Sequence, residues 1–131
     1  MRVLLADDQA RVRFALRVLL SQQPGLKVVG QASDAKDLLA QAATAHPDLV
    51  LVAWELPGLA AAGSLPALRE ACPDLFVITL SGQPAARRAA LEAGADAFVS
   101  KAEPPERLLS TIEDYCHRRR RVPSRRVETP R

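Results

Sequence analysis

The stretch PDLVLVAWELPG at residues 47–58 indicates the class of fold to which this chain belongs. It contains a run of branched apolar residues, Leu49 to Val52, which is followed by Ala53 and by a turn at Pro57-Gly58. A short and almost wholly apolar run is typical of a parallel strand that is covered by helices on both faces. Parallel strands require crossover connections, so we expect strand and helix to alternate on both sides of this stretch.

The rest of the chain repeats that alternation from end to end. Apolar runs predict further strands, and helical spacing of apolar residues predicts helices between them. The strands are expected at 2–6, 26–33, 48–52, 75–80 and 96–100, and the helices at 9–20, 34–45, 62–71, 84–94 and 104–118. Pro66 requires the third helix to begin near it or to bend there. Five such units predict an α/β domain with right-handed crossovers and helices on both faces of one parallel sheet.

Length and composition agree with a single globular domain. The chain has 131 residues, 48% of them hydrophobic and 25% charged, which suits one well-buried core. No apolar run reaches the roughly 18–20 residues of a membrane span, and no signal peptide opens the chain, so we expect a cytoplasmic protein without a membrane partner. The two cysteines, Cys72 and Cys116, are far apart in the sequence, and we interpret them as reduced thiols.

The basic character of the protein is concentrated in its last residues. Residues 118–131 contain seven arginines and one glutamate, so they carry a charge of +6, whereas the whole chain carries +3. Residues 1–117 are therefore slightly acidic, and we interpret 118–131 as an Arg-rich, disordered tail. Its arginines from 118 to 126 could contact nucleic-acid phosphates without sequence specificity, although the tail has no aromatic residue for base stacking.

Polar residues follow four of the five predicted strands. The carboxyl ends of parallel strands meet at one edge of a sheet, which is where such folds place their sites. The polar residues are Asp7 and Asp8 after the first strand, Glu55 after the third, Ser81 after the fourth and Lys101 after the fifth. Directly after the third strand, however, stands the apolar Ala53. Paired carboxylates suit Mg²⁺, and a lysine with a hydroxyl suits a phosphoryl group. The set lacks only a nucleophile for phosphoryl transfer.

Four motifs give the chain a recognisable resemblance. The segments VLLADDQ, PDLVLVAWELPG, VITLSG and AGADAFVSKAEPPERLL occur in this order, and over residues 1–117 they resemble the receiver domain of two-component response regulators. The likeness is strongest to receivers of the NarL/LuxR type. It implies a flavodoxin-like (βα)5 fold with strand order 2-1-3-4-5.

The resemblance also implies roles for individual residues. Asp7 and Asp8 match the acidic Mg²⁺ pair, Ser81 the hydroxyl that follows the phosphoryl group, and Lys101 the lysine of the motif. Phe98 matches the aromatic switch position. Ala53 stands where the family has its phospho-accepting aspartate, and a methyl group can neither accept phosphoryl nor bind a metal.

Glu55 has the same strand parity as Ala53, so its side chain could point toward the site. We considered three roles for it: a replacement metal ligand, a partner of Lys101, or a solvated loop residue. Without the acceptor carboxylate, Mg²⁺ binding by Asp7, Asp8 and Glu55 is expected to be weak or vestigial.

The leading functional hypothesis is a degenerate receiver that acts as a phosphorylation-independent interaction module and has no enzymatic activity of its own. Its partner would be a histidine kinase, an output protein or a second copy, bound through the face of the fourth helix, fifth strand and fifth helix. That face includes Arg87, Arg88, Phe98, Leu108 and Ile112. Two alternatives remain: an ordinary receiver inactivated by an engineered Asp→Ala at position 53, which the gene's codon would reveal, or a nucleic-acid-binding accessory protein that uses the tail.

Overall fold

A computed structural model describes residues 1–59 and 64–121. It contains one parallel sheet with the order β2-β1-β3-β4-β5. The strands are β1 Arg2–Ala6, β2 Lys27–Ala32, β3 Leu49–Ala53, β4 Phe76–Ser81 and β5 Ala97–Ser100. The helices are α1 Ala10–Ser21, α2 Ala35–Ala45, α3 Ser64–Ala71, α4 Ala86–Glu92 and α5 Pro105–Arg121. The predicted flavodoxin-like (βα)5 fold and its strand order are confirmed.

The apolar run within residues 47–58 forms β3, the middle strand of the sheet. All five residues of β3 are buried, and β3 pairs with β1 on one side and with β4 on the other. The burial explains the continuous apolar run, because helices cover both faces of the sheet.

Two separate hydrophobic cores lie on the two faces of the sheet. One contains Leu38 of α2, Leu68 of α3 and Ala90 of α4. The other contains Leu20 of α1 and Leu108 of α5. Alternate residues of each strand contribute to opposite cores, as the two-residue period of a strand requires. As a result α1 and α5 share one face of the sheet, and α2, α3 and α4 share the other.

Local signals account for the helix starts. Asp34 caps α2 by accepting a hydrogen bond from the Asp37 N–H at 2.8 Å, which satisfies one of the free N–H groups of the first turn. Helix α3 begins at Ser64, two residues before Pro66, where a proline needs no hydrogen-bonded N–H. Helix α4 begins at Ala86, slightly later than expected.

Helix α5 extends beyond the predicted end of the domain. It continues through Arg118 to Arg121, whereas the tail was expected to begin at 118. The guanidinium of Arg118 lies 5.7 Å from the ring centre of Phe76, and Tyr115 stacks on the same ring at 4.0 Å. These contacts give the last turns of α5 a surface on which to pack. The rest of the predicted tail, residues 122–131, lies outside the described residues.

The pairing of β1 with the edge strand β2 is irregular. Val3 pairs with Val28 but Leu4 pairs with Gly30, so β2 contains one extra residue at this point. Within the described ranges, no helix is long and apolar enough to cross a membrane.

Candidate functional site

The site lies at the carboxyl edge of the sheet, beyond β1, β3, β4 and β5. Ala53 is the last residue of β3 and is 2% exposed. Its neighbours in the sheet are at the ends of β1 and β4, because Val52 pairs with Ala6 and Ala53 pairs with Leu80. Position 53 therefore lies between the ends of β1 and β4, and its side chain, a methyl group, belongs to the apolar core on the face of α2, α3 and α4.

Asp7 and Lys101 form an ion pair beside Ala53. The ammonium of Lys101 donates a hydrogen bond to Asp7 Oδ2 at 2.9 Å. Asp7 is buried, with 2% of its side chain exposed, against 29% for Lys101. Asp7 Oδ1 accepts a second hydrogen bond from the Gln9 N–H at 2.9 Å. Both carboxylate oxygens of Asp7 thus have donors, and the ammonium compensates for the burial of the charge.

Backbone contacts fix the position of this pair. The Lys101 N–H donates to the Ser81 carbonyl oxygen at 2.8 Å, which holds the residue after β5 against the end of β4. On the other side, the Arg13 guanidinium donates to the Asp7 carbonyl oxygen at 2.6 Å and to Gln31 Oε1 at 3.2 Å. No role for Arg13 could be predicted from the sequence, because its place in the helical pattern of α1 is that of any surface arginine.

Ser81 and Glu55 form the second polar pair of the site. The Ser81 hydroxyl donates to Glu55 Oε2 at 2.6 Å, and it accepts a hydrogen bond from the Gln83 N–H at 3.0 Å. Ser81 is fully buried, so the exposed Glu55 satisfies a hydroxyl that would otherwise lack an acceptor. None of the three roles considered for Glu55 describes this contact, although its predicted orientation toward the site agrees with it.

These residues do not make a magnesium site of the expected kind. In residues 1–59 and 64–121, no three His, Cys, Asp or Glu side chains form a group that could hold a metal ion. The predicted ligands Asp7, Asp8 and Glu55 are not brought together as such a group, because Asp7 pairs with Lys101 and Glu55 pairs with Ser81. Mg²⁺ prefers a nearly complete octahedron of oxygen ligands, and Ala53 contributes no side-chain oxygen. The donor set present does not fit the ion.

The aromatic residue of the predicted switch is buried. Phe98 is 6% exposed, and the guanidinium of Arg87 lies 5.9 Å from its ring centre. On the expected partner face, Leu108 and Ile112 are 4% and 3% exposed and belong to the core between α5 and the sheet. They are therefore packed inside the domain, whereas Arg88 and Leu91 of α4 are among the residues of this face that reach the solvent.

Comparisons with known proteins agree with this architecture. The family model described as "Response regulator receiver domain" matches residues 3–113. A protein-glutamate methylesterase/protein-glutamine glutaminase of Myxococcus xanthus is 41% identical over 103 residues, which cover 76% of this chain and 30% of that protein. The nitrate/nitrite response regulator NarL of Escherichia coli is 32% identical over 112 residues, covering 84% of this chain and 52% of that protein.

Solved structures give the same result. A LuxR-family response regulator from Aurantimonas superposes with a TM-score of 0.81 at 29% identity, covering 90% of this chain and 86% of that one. The receiver domain of a NarL regulator from Mycobacterium tuberculosis superposes with a TM-score of 0.78 at 27% identity, covering 88% and 95% of the two chains. The chain spans between 30% and 52% of the length of the two curated relatives above. Its fold, motifs and relatives show that it belongs to the response regulator receiver domain family of two-component signalling.

Proposed function

We propose that this receiver domain signals without aspartyl phosphorylation, as a protein-interaction module of the cytoplasm. The observation that carries the proposal is the buried methyl group of Ala53 at the end of β3. Phosphoryl transfer needs a nucleophile in line with the leaving group, and a methyl group supplies none. A receiver domain by itself is a regulatory module, so the loss of this chemistry leaves its binding surfaces as the means of signalling.

The hydrogen bond between Ser81 and Glu55 supports a second step of the proposal. In the family, the hydroxyl at the position of Ser81 follows the phosphoryl group. Here its acceptor at 2.6 Å is the Glu55 carboxylate, a group that belongs to the chain itself. We propose that Glu55 takes the place of the phosphoryl group as the acceptor for Ser81. We also propose that this hydrogen bond favours the conformation in which Phe98 is buried.

Glu55 is a poor candidate for phosphorylation itself. Its carboxylate already accepts the Ser81 hydrogen bond, and it lies two residues beyond the position at which the family accepts phosphoryl. Receiver domains typically bind Mg²⁺ at the phosphorylation site, and here the usual cluster of carboxylates is reduced by one. The Lys101 ammonium balances the charge of Asp7 without a metal.

The proposal can be tested with a phosphoryl analogue. Beryllofluoride and Mg²⁺ are added to the protein and to its Ala53→Asp variant, and amide NMR shifts are followed. Only the aspartate variant is expected to respond, with shifts at Asp8, Ser81, Phe98 and Lys101. Ala53→Asn, which has the same shape but no carboxylate, is the matched control and should not respond.

The outcomes separate three accounts of the site. A response of the protein with Ala53 would overturn the proposal, because it would require an acceptor other than residue 53. A response of Ala53→Asp alone would identify a site that is intact except for one residue. If neither protein responds, the domain still lacks phosphorylation, but its site differs from a receiver site at more than Ala53.

The role of Glu55 needs its own measurement. Glu55→Ala is expected to shift the amide signals of Ser81, Gln83 and Phe98, since the serine hydroxyl loses its acceptor. Glu70→Ala, which removes an exposed glutamate of α3, is the control and should leave those signals in place. Unchanged signals in Glu55→Ala would show that Glu55 does not determine the position of the switch residue.

The Arg-rich segment favours no second function at present. Its residues 122–131 lie outside the described residues, and α5 accounts for residues 118–121. Nucleic-acid binding by the tail therefore stays a prediction from charge alone.

A further inference from the structure

An apolar groove lies between α1 and the first turn of α5 on one face of the sheet. Its volume is about 700 Å³. The sheet contributes Leu80 of β4 and Val99 of β5 to its lining, and α5 contributes Leu108. A mainly apolar hollow of several hundred Å³ is typical of sites that enclose small organic molecules. The groove is therefore large enough to hold such a ligand.

A small residue of α1 leaves the groove open. Ala15 lines the groove and is exposed, and its side chain ends at Cβ, so it does not cross the space. Phe14 and Val18 also line the groove, and they are 59% and 41% exposed. A ligand with an apolar body would remove part of this surface from water, and that transfer favours binding in proportion to the apolar area.

The charged side chains that line the groove are Arg11, Lys101 and Glu103. Two of them already have partners in the protein. The Lys101 ammonium is paired with Asp7 at 2.9 Å, and Glu103 accepts a hydrogen bond from the Ser100 N–H at 3.1 Å and lies 3.6 Å from Arg107. Across the two described ranges of the chain, no hydrogen bond or ion pair engages Arg11. The charge that remains for a ligand is therefore positive.

The charged and the apolar parts of the lining lie at different ends of the groove. Arg11 belongs to the first turn of α1, and Lys101 follows β5, so both lie toward the carboxyl edge of the sheet. Leu16 and Leu19 line the groove farther along α1. From Arg11 to Leu19 the helix rises by about 12 Å. A ligand that matches this lining has an anionic group at one end and an apolar chain behind it.

From these observations we infer that the groove binds a small amphipathic anion of the fatty-acid type. Its carboxylate would pair with the Arg11 guanidinium, which can donate two parallel hydrogen bonds to such a group. Its chain would lie on Ala15, Leu16 and Leu19. The inference adds a ligand site to the domain, and it holds whether or not residue 53 accepts phosphoryl.

An anionic membrane surface is the other lipid-like partner that a basic helix with an exposed aromatic residue could have. A bilayer would contact the outer side of α1, where Arg17 lies outside the lining of the groove. The free apolar area of this protein lies in a hollow, which a single molecule fills better than a flat surface does. The hollow therefore favours the small ligand.

Amide NMR titrations of the full chain test the inference with octanoate, decanoate and dodecanoate, each kept below the concentration at which it forms micelles. Shifts are expected at Ala15, Leu19, Val99 and Lys101, and the affinity should rise about two- to fourfold for each added CH₂ group. Dodecyltrimethylammonium has the same chain and the opposite charge, and it should bind at least about tenfold more weakly than dodecanoate. Absence of dodecanoate binding, or equal binding of the two dodecyl compounds, would overturn the inference.

Two variants locate the ligand. Ala15→Trp fills the groove, and Arg11→Glu reverses the charge at its polar end, so each should weaken dodecanoate binding at least about tenfold. Arg17→Glu is the matched control, because it makes the same change of charge on the same helix outside the groove lining, and it should stay within about twofold. Equal weakening by Arg11→Glu and Arg17→Glu, or full affinity in Ala15→Trp, would overturn the inference. Circular dichroism confirms that each variant is folded.

Cosedimentation with phosphatidylglycerol vesicles tests the membrane alternative. The protein is expected to remain in the supernatant at 0.15 M salt, where exposed charges are largely screened beyond about 8 Å. Cosedimentation that Arg11→Glu and Arg17→Glu reduce equally, together with no shifts on addition of dodecanoate, would overturn the inference and assign this side of α1 to a lipid surface.

Discussion

Lys101 and Asp7 meet across the site with their charged atoms 2.9 Å apart, although they come from opposite ends of the chain. The pair leaves the buried carboxylate of Asp7 with a cation of its own. Strand β3 ends at Ala53 and brings no side-chain anion to this cation, so the ammonium of Lys101 is paired with Asp7.

Removal of Lys101 should therefore destabilise the domain. In Lys101→Met the carboxylate of Asp7 keeps the hydrogen bond from the Gln9 N–H but loses its ammonium partner. We expect the free energy of unfolding to fall by about 2 kcal/mol, less than for a wholly buried pair because Lys101 is partly exposed. Urea denaturation measures the change. Arg88→Met is the matched control, since its pair with Glu92 is exposed and contributes less than about 0.5 kcal/mol.

Magnesium should bind weakly to the protein with Ala53. On the proposal that Ala53 occupies the acceptor position, the site has one carboxylate ligand fewer, so we expect a dissociation constant in the millimolar range or weaker. The single tryptophan, Trp54, adjoins Ala53, and its fluorescence offers a direct readout of a Mg²⁺ titration. Ala53→Asp should bind at least about tenfold more tightly, and Ala53→Asn should not. Tight Mg²⁺ binding by the protein with Ala53 would contradict the prediction.

Arg69 should contribute more to stability than a surface arginine. Its guanidinium donates to the carbonyl oxygens of Leu75 and Gly94 and to Asp96 Oδ2, which joins α3 to the segments around β4 and β5. Arg69→Ala is expected to lower the free energy of unfolding by about 2–3 kcal/mol. Arg69→Lys should recover less than half of the loss, because an ammonium cannot reproduce the planar fork.

The exposed Arg107 provides a control for this measurement. Its partner Glu103 lies 3.6 Å away, and both side chains are substantially exposed. Arg107→Ala should change the unfolding midpoint only slightly. An equal loss of stability in Arg69→Ala and Arg107→Ala would mean that the hydrogen bonds of Arg69 stabilise the domain no more than an exposed ion pair does.

Substitutions at two glycines can distinguish the effect of backbone conformation on stability from the effect of packing. Gly94 has φ of +117°, and a Cβ atom added there would meet nothing within 4 Å. Gly94→Ala should cost about 1 kcal/mol through backbone conformation alone. Gly82 also has open space around it, but its φ is not positive, so Gly82→Ala should be neutral. Thermal denaturation of both variants checks the comparison, and a destabilised Gly82→Ala would point to a cause other than φ.

The sequence predicted the fold because the strands of this sheet are short and strongly apolar. The run at 49–52 and the break at Pro57-Gly58 placed β3 to within one residue. The ends of the helices were harder to predict. Helix α5 extends beyond its predicted end, and its last turns are supported by the contact between Arg118 and Phe76. No local sequence pattern reveals that contact.

The site was only partly predictable for a related reason. The positions of Asp7, Ser81 and Lys101 follow from the topology of strand ends, which the sequence implies. The partner of each side chain does not follow, because hydrogen bonds such as that of Ser81 with Glu55 depend on the path of the loop after β3.

The irregular pairing at Val3 and Leu4 affects how the sheet meets other chains. It places one extra residue in β2, the strand whose outer edge has no neighbour in the sheet. A bulge of this kind bends and twists an edge strand, so its free N–H and C=O groups no longer form a flat template. The opposite edge strand, β5, has only four residues. The sheet is thereby protected against edge-to-edge addition of strands, the usual first step toward fibrous aggregates.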